Sequence, residues 1–430
     1  MTLTAVSAGR RFVVLTALRW LPLGLSAPVT VLLASARGLS PADIGVLLAV
    51  YSTVTLLLEL PTGGLADAIG HRPVLVLSGL LTVAGLLTMV VADGMPLFAV
   101  AWALHGAGRA LDSGPLEAWY VDAVHAVDPT ADVTTGLSRA AAADGAGLAL
   151  GAVLGGLVPL LAAGSGSTVL ALPLLLAAAL GVVSVVAVLL LVVPLGTASG
   201  HGGAALRTGV RAVPAVVRDT ARLVAGDLLL RRLLAISLLT GTVLTTLELL
   251  GPLHFADLAG SPTGGSAVFG IVMAASFAAA AGGALLAPAA RRAARGPAAA
   301  GAALAGAGAL SVTAVASAPH VVLAAVGYVV FYLTNAAAWP LRKHLLHGQV
   351  PAGRRATTVS ATSLALMVGG LGGSLLVPRL AEAAGNPAGF AAGGVALLLI
   401  ALISVGLRPR TTPDRGAGTS DRASEAVPAP

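Results

Sequence analysis

Long runs of apolar residues recur along the whole chain. A helix that crosses a bilayer needs about 20 such residues, because each residue adds about 1.5 Å along the helix axis. Twelve runs reach this length, and the pattern therefore predicts an all-α membrane protein with twelve transmembrane helices. The runs cover residues 12–34, 42–60, 73–92, 96–122, 136–162, 168–194, 232–257, 266–290, 297–317, 320–341, 356–378 and 388–407.

The composition supports a membrane location. Charged residues make up 10% of the chain and hydrophobic residues 57%, and the mean hydropathy is +0.94. A soluble domain carries about 25% charged residues, so a large water-soluble enzyme is disfavoured. The absence of cysteine removes disulfides and cysteine–zinc sites. The sequence also has no Walker loop, no histidine pair with metal-ligand spacing and no recognisable catalytic triad. Neither ATP-driven pumping, a metal site nor an enzyme is predicted.

The positive charges between the spans are distributed unevenly. Connections on the same side as the N-terminus carry most of the 25 basic residues, whereas the opposite connections carry Arg37 and Arg379. Membrane proteins retain lysine and arginine on the cytoplasmic side. We therefore expect both termini in the cytoplasm and a multi-pass protein of the cell inner (plasma) membrane. The net charge of +7 then reflects this topology and does not indicate a nucleic-acid partner.

One long polar connection, residues 195–231, divides the spans into six and six. We expect an N-terminal six-helix bundle at residues 1–194 and a C-terminal six-helix bundle at residues 232–407. The connection is predicted to be a cytoplasmic linker that lies on the inner leaflet, because arginines recur in it at helical spacing. Residues 408–430, which are rich in proline, serine and glycine, are predicted to form a disordered cytoplasmic tail.

Ionisable side chains inside the spans are concentrated in the first half of the chain. Each of them costs about 2.5–3.5 kcal/mol at the centre of a bilayer, so such residues indicate a partner or a function. The second half carries one, Glu248. The two arginines of the first half face four carboxylates, and surplus carboxylates in such surroundings bind protons or a cation. The residues of the first half are Arg19, Glu59, Arg109, Asp112, Glu117 and Asp144.

These charges allow more than one interpretation. Helical periodicity places Arg109 and Asp112 on one face of the fourth span, about 60° apart. They either form an ion pair that stabilises this helix, or a surplus carboxylate, Asp112 or Asp144, carries a proton. Arg19 can likewise pair with a neighbouring helix. Glu248 has no basic partner in its half, so it is either protonated or available to a cationic group of a ligand.

The connection between the second and third spans is a glycine-rich turn, GGLADAIGHRP at residues 63–73. It resembles motif A of the major facilitator superfamily, a Gly-x-x-x-Asp-basic-x-Gly-basic-basic pattern. Ala68 and His71 stand where the pattern has basic residues. The family couples the aspartate of this motif to an acidic residue at the inner end of the fourth helix, a position that Asp122 fits. The residues that match the motif are Gly63, Asp67, Gly70 and Arg72.

The fifth span carries a face of glycines that resembles motif C of the superfamily's antiporters, Gly-x-x-x-Gly-Pro-x-x-Gly-Gly. Ala152 stands where the motif has proline. Close packing of helices is the alternative explanation for so many small residues. Arg109 resembles the fourth-helix arginine of motif B, which is linked to proton coupling in exporters of the family. The matching glycines are Gly147, Gly151, Gly155 and Gly156.

The resemblance implies two six-helix bundles that rock about a central cavity. It implies a monomeric secondary active transporter that exports a small amphipathic organic compound or drug in exchange for protons. The proton gradient supplies the energy and no cofactor is expected. Proton-coupled uptake of a small nutrient, or a non-transporting membrane sensor, remains open. The proton-coupling candidates are Arg109, Asp112, Glu117 and Asp144. The cavity candidates are Arg19, Trp20, Glu248, Tyr328, Tyr332, Asn335 and Trp339.

Overall fold

The first half of the chain is helical throughout its described length. The computed structural model describes residues 4–62, 65–164, 166–195, 226–349 and 355–407, with Arg211 and Arg218. Gly63, the side chain of Asp67, most of the predicted linker 195–231 and the predicted tail 408–430 lie outside the described part. The helices of the first half are α1 (Ala5–Ala36), α2 (Pro41–Thr62), α3 (Leu65–Ile69), α4 (His71–Val91), α5 (Met95–Asp112), α6 (Pro115–His125), α7 (Thr134–Leu161) and α8 (Ser167–Leu191).

The second half continues the same architecture. Within the described residues, eleven helices of the chain are long and apolar enough to cross a membrane, and α5 with α6 covers the remaining predicted span. The all-α class predicted from hydropathy is therefore confirmed. The helices of the second half are α9 (Leu228–Ala259), α10 (Pro262–Ala293), α11 (Pro297–Ala316), α12 (Val321–Gln349), α13 (Arg355–Ala384) and α14 (Asn386–Val405).

Acidic side chains fix where two of these helices begin. The carboxylate of Asp227 accepts hydrogen bonds from the N–H groups of Leu229 and Leu230, at 2.8 and 3.3 Å. Asp132 accepts from the N–H of Thr134 at 2.8 Å, and hydrogen bonds from the Thr134 hydroxyl and N–H hold the pKa of Asp132 below its usual value. Such caps satisfy N–H groups that have no partner within the helix. Helix α9 therefore begins before its apolar run does.

The fourth span is broken in the middle. The hydropathy pattern predicts one helix over 96–122, and this prediction is wrong, because α5 ends at Asp112 and α6 begins at Pro115. Gly114 between them has a φ of +98°, in the left-handed region that favours glycine. Proline is suited to the first position of a helix, where its missing N–H has no partner to lose. Glu117 consequently lies on a different helix from Asp112.

Replacing Gly114 with alanine tests this break. A Cβ disfavours the left-handed conformation, so we expect Gly114→Ala to destabilise the protein by about 1–2 kcal/mol, although the added atom would have open space. Gly145→Ala is the control, because Gly145 lies inside α7 with equally open space and alanine favours a helix. Thermal unfolding in detergent should show a lower midpoint for Gly114→Ala only. An unchanged midpoint for that variant would contradict the break.

The helices form two groups that follow the two halves of the chain. In the first group, α1 packs on α7 and α8, α2 packs on α5, and α4 packs on α5 and α8. In the second group, α9 packs on α13 and α14, α10 packs on α12, and α11 packs on α12 and α14. The groups meet where α7 packs on α10 and where α2 packs on α13. The two bundles therefore face each other across these two helix pairs.

Two hydrogen bonds join the bundles at one end of the molecule. The N–H of Ala42, at the start of α2, donates to Oε1 of Glu382, near the end of α13, at 2.9 Å. The hydroxyl of Ser266, at the start of α10, donates to the carbonyl oxygen of Gly156, near the end of α7, at 3.1 Å. Both bonds lie where α1 continues into α2 and α7 into α8. We call this the closed end, and the positive-inside pattern predicts that it is extracellular.

Candidate functional site

An ion pair links the first span to the break in the fourth. Arg19 of α1 forms a salt bridge with Asp112, the last residue of α5, and the exposed fractions of the two side chains are 17% and 22%. The same guanidinium nitrogen donates to the carbonyl oxygen of Asp112 at 3.2 Å. Carbonyl groups in the last turn of a helix have no partner within it, and a cation stabilises that end. Arg19 therefore both neutralises Asp112 and caps α5.

This pairing corrects one interpretation of the sequence. The spacing of Arg109 and Asp112 suggests an ion pair within α5, but no salt bridge joins them among the described side chains. Asp112 pairs with Arg19 instead, so the interpretation that Arg19 pairs with a neighbouring helix is confirmed. Arg109 is exposed and is left without a carboxylate within 4.0 Å among these residues. Its charge is therefore available to other groups in the same region.

Further carboxylates lie around the ion pair. Asp144 of α7 and Glu117 of α6 line one cavity, and this cavity is also lined by Arg19, Arg109 and Asp112. Asp144 is half-buried, and both guanidinium groups are close enough to act on it electrostatically. The structure thus brings the four proton-coupling candidates together with Arg19. Among the described residues, no group of three or more His, Asp or Glu side chains is arranged to hold a metal ion.

A second cavity adjoins the first and contains a residue that the sequence pattern does not single out. It shares Arg19, Trp20, Arg109 and Asp112 with the first cavity, and its other lining residues include Tyr51 and His105. The rings of Tyr51 and His105 have centroids 5.8 Å apart. Trp20 thus lies where a cavity residue was predicted. Tyr51 is one of only four tyrosines in the chain, and this rarity is the signal that could have identified it.

Glu248 lies on α9, within electrostatic reach of α2 in the first bundle. It lies deep in the molecule although its side chain is exposed, and a side chain with both properties lines an internal space and not the lipid-facing surface. Three tyrosines lie within electrostatic reach of its carboxylate: Tyr51 on α2, and Tyr328 and Tyr332 on α12. We call the space between α2 on one side and α9 and α12 on the other the central cleft.

The candidates on α12 differ in their surroundings. Tyr328 is 1% exposed, and its hydroxyl donates to the carbonyl oxygen of Leu247 at 3.3 Å. The Tyr332 ring stacks on the Tyr328 ring, with centroids 5.4 Å apart and 24° between the planes. Asn335 is half-buried and Trp339 is 42% exposed, further along the same helix. Tyr328 therefore supports the wall of the central cleft, whereas the half-buried Tyr332 is accessible from it.

The turn that resembles motif A places a histidine beside an acidic residue. Gly70 precedes α4 with a φ of +89°, and the next residue, His71, has its Nε2 atom 3.7 Å from Oδ2 of Asp122 on α6. His71 stands where the family pattern has a basic residue. The guanidinium of Arg72 donates to the carbonyl oxygen of Leu189 on α8. The turn thus contacts both α6 and α8, while the pairing of the motif's aspartate with Asp122 stays a prediction.

The glycine face of α7 packs against two different helices. A Cβ added to Gly151 would lie 2.8 Å from the Cα of Gly24 on α1, closer than side chains approach backbone atoms. Gly147 and Gly155 face the same helix. Gly156 faces α10 instead, where an added Cβ would lie 3.1 Å from the Cα of Gly270. Three glycines therefore allow packing within the first bundle, and the fourth allows the two bundles to touch.

The family of the chain follows from comparison with known proteins. The sequence model of the Major Facilitator Superfamily matches residues 12–341. This chain belongs to the major facilitator superfamily. A comparison with proteins of curated function gave no match.

Solved transporter structures share the fold. The nucleoside transporter NupG superposes with a TM-score of 0.71 at 14% identity, over 93% of this chain and 97% of that chain. The peptide transporter POT in complex with sulfate gives 0.67 at 17% identity, over 94% of each chain. The human organic anion transporter MFSD10 (TETRAN) gives 0.59 at 15% identity, over 93% and 99%. These identities show the fold alone. With the family match, they identify a multi-pass membrane transporter of small molecules and not an enzyme.

Proposed function

We propose that this transporter exports a small amphipathic organic compound or drug in exchange for protons, with Arg19, Asp112 and Asp144 as the centre of proton coupling. The observation that carries the proposal is the ion pair between α1 and the end of α5, with a further carboxylate in the same cavity. Removing one charge of a buried pair is costly unless the other finds a new partner. Here the arginine has such a partner within one cavity.

Protonation of Asp112 would remove the negative charge that holds Arg19. The guanidinium would then turn to Asp144, so that α1 exchanges a contact with α5 for a contact with α7. Arg109 lines the same cavity, where its positive charge attracts whichever carboxylate is ionised. Glu117 adds a proton acceptor on α6. A change of partners of this kind couples proton binding to helix position, and the coupling is reciprocal.

Antiport is favoured by the glycine face of α7. Its resemblance to motif C extends to every glycine, and Gly156 places this face at the contact between the bundles. With the closed end outside, the cavity around the ion pair would load its substrate from the cytoplasm, as an exporter requires. One chain supplies both sides of the central cleft, so we propose that the transporter acts as a monomer.

Oriented proteoliposomes test the direction of coupling. With the termini facing outward and an acidic lumen, we expect ethidium, an amphipathic fluorescent compound, to accumulate inside while the lumen becomes more alkaline. Asp144→Asn should reduce this exchange by about tenfold or more, since coupling energies of this kind span about 5–150-fold. Asp93→Asn is the control, because Asp93 is an exposed carboxylate between α4 and α5. The pH of the lumen and ethidium fluorescence are recorded together.

Each other outcome favours a different function. Movement of ethidium together with protons would indicate uptake by symport and contradict export. Exchange that equals that of protein-free vesicles, for this compound and a panel of drugs, would favour a sensor that does not transport. Equal exchange by Asp144→Asn and the parent protein would contradict the assigned coupling site.

A further inference from the structure

Glu248 has no described partner for its charge. No lysine, arginine or histidine side chain lies within 4.0 Å of its carboxylate among the described residues. The half-buried Arg342 on α12 donates instead to the hydroxyl of Thr240 at 3.0 Å, about 12 Å along α9 from Glu248 at the rise of a helix. A carboxylate at membrane depth is costly without a partner. Its position on the central cleft makes it accessible to a partner that comes from solution.

Aromatic rings lie in the same region as this carboxylate. The chain has four tyrosines, and three of them, Tyr51, Tyr328 and Tyr332, lie within electrostatic reach of Glu248. Tyr332 is stacked on Tyr328 and meets the ring of Phe277 edge-on, with centroids 6.5 Å apart. Aromatic faces attract cations, by about 0.5–2 kcal/mol per contact. A carboxylate within electrostatic reach of such packed rings is therefore suited to a positively charged nitrogen carried on an apolar body.

The balance of charge around the cavities also favours a cationic ligand. The ionisable residues around the ion pair and Glu248 carry more negative than positive charge, so the field attracts cations and repels anions. This excess does not depend on Glu59, whose carboxylate accepts a hydrogen bond from the Ser113 hydroxyl at 3.2 Å. The negative residues are Asp112, Glu117, Asp144 and Glu248, and the positive residues are Arg19 and Arg109.

We propose that Glu248, with Tyr51 and Tyr332, is the recognition site for an organic cation, and that the substrates of this transporter carry a positively charged nitrogen or phosphonium group next to aromatic or aliphatic surface. The proposal rests on the transport function proposed above, and it names the substrate class of that function. The carboxylate of Glu248 pairs with the positive charge, while Tyr51 on α2 and Tyr332 on α12 provide aromatic faces from the two bundles. The site would therefore sense how the bundles lie against each other.

Equilibrium binding to the full chain in lipid nanodiscs tests the site without requiring transport. The probes are tetraphenylphosphonium and tetraphenylborate, which have the same shape and opposite charge. We expect the protein to bind the cation and not the anion. Glu248→Gln should raise the dissociation constant of the cation by about tenfold or more, since truncating a buried charge partner changes affinity strongly, and Glu248→Asp should retain part of the affinity. Tyr332→Leu should weaken binding more than Tyr332→Phe, which keeps the ring.

Asp257→Asn is the matched control. Asp257 lies on the same helix, is exposed, and accepts a hydrogen bond from Asn386 at 2.8 Å far from the central cleft. Its removal takes away the same charge and should leave tetraphenylphosphonium binding unchanged. Thermal unfolding of each variant, without probe, separates loss of the site from loss of the fold.

The outcomes also separate this proposal from the proton-coupling proposal. Equal binding of the two probes, failure of the parent protein to bind the cation, or full affinity in Glu248→Gln would each overturn the cation site. If proton exchange then still occurred with an uncharged compound, the assignment of the coupling site would remain valid. Conversely, two results together would support the cation site and contradict the coupling site. These are charge-selective binding that depends on Glu248, and proton exchange that is unchanged by Asp144→Asn.

Discussion

Removing one partner of the Arg19–Asp112 pair should lower the stability of the transporter, whereas removing both should restore most of it. Asp112→Asn leaves a guanidinium in a cavity where it is only 17% exposed, and Arg19→Gln leaves a carboxylate at 22%. An exposed ion pair contributes up to about 1 kcal/mol, and breaking a buried one costs about 3–5 kcal/mol. We expect about 2–3 kcal/mol for Arg19→Gln, because the pair is partly buried, and a smaller loss for Asp112→Asn, because Arg19 can then turn to Asp144 in the same cavity.

The double variant Arg19→Gln with Asp112→Asn distinguishes charge from shape. Its two amides can still hydrogen bond with each other, and neither leaves a charge without a partner. We therefore expect its unfolding midpoint to lie closer to that of the parent than the midpoint of Arg19→Gln does. The single variants should also lose proton-driven exchange, and the double variant should not recover it, since no group in the pair then binds a proton.

Thermal unfolding in detergent and proton flux in proteoliposomes are the two measurements. Asp93→Asn is the control for loss of a carboxylate, because Asp93 lies in an exposed connection. Additive destabilisation in the double variant would show that the two charges do not interact, contrary to the pair seen here. Recovery of proton-driven exchange by the double variant would show that the pair only stabilises the fold, and the proton would then have to bind elsewhere.

The spans could be predicted from the sequence because a bilayer imposes a simple requirement. Every backbone group in lipid must be satisfied within its own segment, so an apolar run of sufficient length has to be a helix. The break at Gly114 escapes this argument. The residues on both sides of Gly114 are apolar enough to form one run. Hydropathy carries no information on backbone angles such as the φ of +98° at Gly114. The glycine–proline step was the signal that a strict count of apolar residues overlooks.

The partner of Asp112 could not be predicted for a different reason. In a soluble helix the apolar stripe fixes which face is buried, but a helix that is apolar on all sides has no such stripe. The rotation of α1 against α5 is set by close packing, and Arg19 is 93 residues away along the chain. Tyr51 was missed for the same reason. Local spacing therefore suggested Arg109 as the partner of Asp112, when packing had placed Arg19 there.

A leucine at Gly156 should hold the closed end apart and stop transport without unfolding the protein. A Cβ at this position would meet the carbonyl oxygen of Ser266 and would lie 3.1 Å from the Cα of Gly270, both on α10. These are backbone atoms, which cannot move aside as a flexible side chain can. Overpacking of this kind costs about 1–3 kcal/mol. This cost destabilises the arrangement in which α7 and α10 touch at Gly156. The arrangement in which the closed end is apart therefore becomes more populated.

Pulsed electron resonance can measure this opening directly. The chain has no cysteine, so Leu161→Cys and Pro262→Cys introduce the only two thiols for spin labels, at exposed positions on the closed ends of α7 and α10. Gly156→Leu should lengthen the distance between the labels and reduce proton-driven exchange by about tenfold or more, since 1.4 kcal/mol corresponds to a factor of ten. Retained helical circular dichroism would show that the fold survives.

Gly282→Leu is the matched control for this experiment. Gly282 lies on α10, the helix that Gly156 of α7 contacts, but an added Cβ there meets no atom within 4 Å, so the distance and the exchange should not change. If Gly156→Leu left the distance between the labels unaltered, the contact of α7 with α10 would not limit the approach of the bundles. If it opened the closed end but exchange continued, transport would not require this end to close. Because Gly156 lies at the contact between α7 and α10 and Gly282 does not, the pair of variants assigns any effect to the contact between bundles and not to added bulk in a helix.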